Sequence, residues 1–153
     1  MVLTAFFSEL SSAAAAAKTI QSLIKNTCGV ERALLLELQK NPNLLYLFLG
    51  GERQFITIVR KLEVQTYEEA VKTNFDFKEL KKSKLNARMV AGIKQFQPYI
   101  GWSTEQLLQN IYLKIHQLKS ILEIGPENSN YRIGVRLKNL HKLMLLLLKH
   151  VKF

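Results

Sequence analysis

Cysteine is nearly missing from this 153-residue sequence, and helix breakers are scarce: one Cys, three Pro and seven Gly. The single thiol, Cys28, cannot close an internal disulfide, which fits a reducing compartment and a small buried side chain. No Cys/His cluster stands at metal-ligand spacing either, so no metal or other cofactor is expected. So few Gly and Pro beside 48% apolar residues exclude a disordered chain. They point to one ordinary globular domain spanning 1–153, long enough to bury a core without staples.

Long apolar runs are also absent. Leu143 to Leu148, the run that stands out, is six residues long, whereas a membrane span needs about 20. The opening MVLTAFFSELSSAAAAAKTI has no Lys or Arg before Lys18 and carries Glu9 inside its apolar stretch. That is not the pattern of a secretory signal. The expectation is a soluble, cytoplasmic protein with no membrane contact.

Acidic residues are the next shortage, and only in one half. Residues 1–77 hold eight Lys/Arg against eight Asp/Glu. Residues 78–153 hold fourteen Lys/Arg against Glu79, Glu105, Glu123 and Glu127 alone, so the net charge of +10 belongs wholly to the second half. A neutral half joined to a strongly basic one implies a surface that meets a polyanion or an acidic partner.

What is present is helical periodicity, with no stretch alternating at a period of two. Leu3, Phe6, Leu10, Ala13, Ala17, Ile20 and Ile24 keep a heptad seam whose alanines admit a close neighbour, either another helix of the fold or a second copy of the chain. Thr27-Cys28-Gly29 breaks it, and Val30 to Lys40 restarts. Asn41-Pro42 predicts a new helix over NLLYLFL, stopped by Gly50-Gly51. Glu52 to Val64 follows, with Phe55, Ile58, Val59 and Leu62 on one face.

Thr66 with Glu69 has the spacing of a capping box and opens a helix through about Asn74. The helical period then runs from Phe77 to Phe96, with a break near Ser83, before Pro98 and Gly101 stop it. Ser103 with Gln106 is a second capping box. It starts a helix over Thr104 to Glu123 with Leu107, Leu108, Ile111, Ile115, Leu118 and Leu122 as its buried stripe. GPENSN is a loop. From Tyr131 the last helix runs to Phe153 with no C-cap, which fits the amino-terminal module of a longer protein. The fold expected is all-α: a single compact bundle of five to seven helices, the last two packed on each other and on the alanine-faced first.

Common catalytic signatures are missing. No Ser sits in a G-x-S-x-G turn, no H-E-x-x-H occurs, and LGGERQF lacks the Lys-Ser/Thr of a phosphate-cradling loop. Three histidines remain. His116 reads as a half-buried packing residue, and His150 as a cation favoured by a helix C-terminus. His141 follows Arg136 by five residues in RLKNLH.

An Arg followed after four to six residues by a His, near the end of a small all-helical domain, resembles the HEPN superfamily, many of whose members are metal-independent ribonucleases. The resemblance covers RLKNLH and the helical class. It implies a dimer in which Arg136 stabilises phosphate charge and His141 transfers protons during attack by the 2′-hydroxyl. Leu137 stands where many active members carry a polar residue, and Asn139 is polar instead. On a helix, Arg136 and His141 lie about 140° apart, so they converge only across a second subunit or at a kink.

Binding needs no such convergence. Arg132, Arg136, Asn139 and His150 share one stripe of the last helix, and Lys138, Lys142 and Lys149 share another. FDFKELKKSKLNAR adds Lys78, Lys81, Lys82, Lys84 and Arg88, beside Phe75 and Phe77, which read first as core anchors and second as base-stacking rings. The function expected is a non-catalytic interaction module whose basic C-terminal half binds nucleic acid, RNA foremost, or an acidic protein. The alternative is a dimeric HEPN-like ribonuclease using Arg136 and His141.

Overall fold

Six apolar side chains in succession cannot all face one side of a helix, so Leu143 to Leu148 must be enclosed by neighbours. In a computed structural model of the chain they are. Each of the six is 3% exposed or less, and the helix that carries them packs on three others.

The structure describes residues 29–49, 55–125 and 132–152. These form α1 (Gly29–Leu49), α2 (Phe55–Lys61), α3 (Gln65–Lys72), α4 (Ala87–Val90), α5 (Thr104–Ile124) and α6 (Ile133–Lys152). Two 3₁₀ segments, Phe77–Glu79 and Lys94–Tyr99, interrupt the connector before α5. No strand occurs among the described residues, and the all-α expectation is met. The seam from Leu3 to Ile24, Cys28 and the Gly50-Gly51 stop lie outside the described residues.

α6 sits at the centre, against α5 on one side, α1 on another and α4 on a third. α1 also meets α2 and α3, and α2 closes onto α5. One continuous core results, with Leu34, Leu35, Leu38 and Leu45 of α1 meeting Leu107, Leu108, Ile111 and Ile115 of α5 and Leu137, Leu140 and Met144 of α6. Ser103 caps α5 as its spacing predicts. Its hydroxyl accepts from the Gln106 amide at 3.2 Å, while the Gln106 side chain accepts from the Ser103 amide at 2.9 Å. Leu122 of the predicted stripe is only half-buried. No helix among the described residues is long and apolar enough to cross a membrane.

Three local expectations are overturned. First, α1 does not stop at Asn41-Pro42 but runs through Pro42 to Leu49. The Asn41 side chain is not an N-cap. Its oxygen accepts from the Glu63 amide and its nitrogen donates to the Glu63 carbonyl, both at 2.8 Å. Pro42 removes one intrahelical donor, and burial of Leu38 and Leu45 on either side of it holds the helix together.

Second, Thr66 and Glu69 form no capping box. The first turn of α3 is capped from α1, where the Glu37 carboxylate accepts from the amides of Thr66 (2.7 Å) and Tyr67 (3.2 Å). An anion at a helix N-terminus suits the dipole, and two otherwise orphan donors are satisfied.

Third, Phe77 to Phe96 is not a helix broken once. Its buried residues, Phe77, Leu80, Leu85, Val90 and Phe96, fall at intervals that keep no single helical face. Short caps replace the long ladder: Asp76 accepts from the Lys78 amide and Asn86 from the Met89 amide, each at 3.1 Å. Gly92, at φ +85°, ends α4 in a conformation that side-chain-bearing residues rarely adopt. Phe75 and Phe77 meet edge-to-face at 5.3 Å and pack on the core, as anchors rather than stacking platforms.

Candidate nucleic-acid interface

The connector between α3 and α5 carries five of the predicted cations and is pinned at both ends. The Leu85 amide donates to the Trp102 carbonyl at 2.8 Å, and the Gly101 amide donates to the Leu85 carbonyl at 2.7 Å. Thr104 Oγ1 donates to the Lys81 carbonyl at 3.1 Å. Fixed in this way, the connector leaves Lys78, Lys82, Lys84 and Arg88 exposed and Lys81 half-buried. None of these five forms an ion pair among the described residues.

Along α6 the apolar face is buried and the cations ride outside it. Arg136, Lys138 and Lys142 are exposed and Lys149 is half-buried, while Arg132, expected on the same helical stripe, is exposed just before α6 at φ +47° and lies outside the helix. Lys149 joins the two basic segments, because its ammonium donates to the Met89 carbonyl at 3.3 Å, one residue beyond Arg88. Burial lowers the Lys149 pKa from its usual value. His150 sits on the same seam, beside Lys81.

The ion pairs between lysines and carboxylates among the described residues lie elsewhere, Lys40–Glu63 and Lys72–Glu69, as does the contact of His116 with Glu68. Three acids of the first half, Glu63, Glu69 and Glu68, meet Lys40, Lys72 and His116 there. His116 is therefore an exposed partner of Glu68 at 3.2 Å, not the half-buried packing residue expected. Lys78, Lys81, Lys82, Lys84 and Arg88 of the connector and Lys138 and Lys142 of α6 form no ion pair among the described residues.

A groove runs where α5, α6 and the Lys94–Tyr99 segment converge. It comprises two adjoining cavities of about 190 and about 220 Å³ that share Lys114 and Asn139. Gln117, Leu118 and Arg136 complete one; Gln95, Phe96, Tyr99 and Leu143 complete the other. Tyr99 stands edge-to-face with Trp102 at 4.8 Å. Arg136 and Asn139 were legible as neighbours on one helical stripe. Lys114, Gln117, Gln95 and Tyr99 were not, since they belong to two other elements and meet α6 only in the folded chain.

His141 and Arg136 are not brought together within this chain. Arg136 is exposed at the groove, whereas His141 is 3% exposed and burial lowers its pKa to about 4. A buried neutral imidazole on the far side of the apolar stripe faces no phosphate bound beside Arg136.

His150 is corrected too. It is wholly buried and is not a cation at the helix end. Because the Thr104 hydroxyl donates to Lys81, it accepts from His150 Nε2 at 3.0 Å. This fixes the neutral Nε2–H tautomer and leaves Nδ1 with no hydrogen-bond partner. Burial first and Lys81 second hold the His150 pKa at about 4.

The other buried polar cluster is structural. Glu37 accepts from Tyr112 as well as from the two α3 amides, and the Tyr112 ring stacks on Tyr67 at 4.0 Å. Among the described residues, no group of three or more His, Cys, Asp or Glu gathers to hold a metal ion. Comparisons with protein-family models, with curated proteins and with solved structures returned no match.

Proposed function

We propose that the chain is a helical binding module that takes up nucleic acid, RNA foremost, on the cationic surface of its second half. The observation that carries this reading is the separation of charge. The net charge of +10 lies wholly in residues 78–153, Glu63 and Glu69 pair with Lys40 and Lys72 within the first half, and Lys78, Lys81, Lys82, Lys84, Arg88, Arg132, Lys138 and Lys142 stand without ion pairs among the described residues. Cations set on helices and on a pinned connector meet phosphates from a backbone already ordered, and each contact releases condensed counterions.

The same charge would also attract an acidic protein. The groove favours RNA, because amides and aromatic rings beside cations suit bases as well as phosphates. The test is the binding of a labelled single-stranded RNA by fluorescence anisotropy as salt is raised. Affinity is expected to fall by orders of magnitude between about 50 and 200 mM salt. Binding indifferent to salt, or confined to acidic peptides, overturns the proposal.

A further inference from the structure

We infer that the groove between α5, α6 and the Lys94–Tyr99 segment holds one unpaired nucleotide of a bound single strand, and this rests on the RNA-binding reading above. Its two cavities share Lys114 and Asn139, so they form one elongated site. Together they reach the lower end of the range of roughly 300–1,000 Å³ that small-molecule sites occupy, which suits a single nucleotide and leaves no room for a duplex.

The chemistry of the lining is ordered along that length. The cations, Lys114 and Arg136, line the first cavity with Gln117; Tyr99 and Gln95 line the second. Lys114 forms no ion pair among the described residues, so its ammonium is available to a phosphate. A side-chain amide offers a donor and an acceptor side by side, the pair that a base edge presents in complement. Gln117, Asn139 and Gln95 supply three such groups. Tyr99 adds a ring on which a base stacks whatever its identity.

An acidic side chain satisfies the cations but leaves the amides and the ring without a role. A duplex hides its base faces and, in A-form RNA, presents a major groove too narrow to read. An unpaired nucleotide engages all three kinds of group.

Sequence supplies the reporter. Trp102 is the chain's one tryptophan and contacts Tyr99 edge-to-face. Base stacking at Tyr99 is expected to change its fluorescence. The experiment titrates 5′-AMP, 5′-UMP, inorganic phosphate, a single-stranded RNA dodecamer, the matching duplex and a poly-glutamate peptide into the protein, following Trp102 emission and anisotropy.

The decisive variants are Gln117→Ala and Asn139→Ala. Both side chains are exposed and neutral, so neither change touches folding or the count of phosphate contacts. Tyr99→Leu, which keeps an apolar side chain against Phe96, is the third. The expected result is a Trp102 response to AMP, UMP and the dodecamer but not to phosphate alone, and roughly tenfold weaker dodecamer binding in each variant, with duplex binding and salt slope unchanged.

Wild-type affinity for the dodecamer in all three variants, with loss only when Lys78, Lys82 and Lys84 are neutralised, overturns the groove and leaves RNA binding standing. A Trp102 response to poly-glutamate but not to nucleotides overturns it in favour of an acidic peptide. No binding of either RNA by the wild-type chain removes the functional proposal and this inference together.

Discussion

The Tyr112 hydroxyl donates to the Glu37 carboxylate over 2.6 Å, joining α5 to α1 across 75 positions of sequence. Glu37 is 2% exposed and Tyr112 1%, so neither group has water as a substitute partner. Burial and the neighbouring Glu37 charge push the Tyr112 pKa well above its ordinary value, which keeps the phenol a donor at every physiological pH.

Tyr112→Phe is expected to lower stability by about 2 kcal/mol, the cost of one hydrogen bond to a charged acceptor. Glu37→Ala is expected to cost more, about 3 kcal/mol or above, because it strands two buried donors, the Tyr67 amide and the Tyr112 hydroxyl, together with the part-buried Thr66 amide, and uncaps α3. Urea unfolding of the two variants checks the order. Equal midpoints would show that the amides of Thr66 and Tyr67 find other acceptors.

Acid should unfold this protein through its two buried histidines. Both have folded pKa values of about 4 against an unfolded value near 6.5. Above pH 6.5 neither state binds the proton and stability is complete. Between 6.5 and 4 the unfolded chain binds protons that the folded one refuses, so stability is lost as pH falls. At pH 5 the loss amounts to about 2 kcal/mol per histidine. Urea midpoints at pH 7, 6 and 5 measure it, and His141→Leu should remove about half of the slope.

Two cap substitutions separate the predicted helix starts. Ser103→Ala removes a working cap and should destabilise by about 1 kcal/mol. Thr66→Ala removes a hydroxyl that caps nothing in α3 and should stay within about 0.5 kcal/mol of wild type. Thermal unfolding reads both.

Neutralising Lys78, Lys82 and Lys84 to alanine should leave the melting temperature in place, since all three are exposed and form no ion pair among the described residues. Each substitution that removes a phosphate contact should reduce the salt slope of single-strand RNA binding by about 0.7. Lys40→Ala, in the neutral half and paired with Glu63, should leave RNA affinity unchanged. A Lys40 effect as large as that of the connector lysines would mean that total charge, not its placement, governs binding.

What was legible in the sequence was local. Ser103 and Gln106 are three residues apart and satisfy each other, so their box can be read from spacing alone. Thr66 and Glu69 have the same spacing, but a carboxylate from α1 reaches the amides first, and nothing near residue 66 announces it. Asn41-Pro42 misled for a similar reason: the asparagine serves Glu63 across the fold instead of its own backbone. The exposed cations were legible because surplus charge must sit at the surface. The groove was not, because Lys114, Asn139 and Tyr99 become neighbours only when α5, α6 and the connector close on one another.

The enclosure of Leu143 to Leu148 sets a clock inside the molecule. Amide protons on that stretch of α6 meet water only when the whole fold opens, so their exchange rates record global stability without any denaturant. The single-turn bonds of Lys94–Tyr99 open by themselves and exchange far sooner. Read together, the fast and slow protons separate breathing at the rim of the groove from unfolding of the body that supports it.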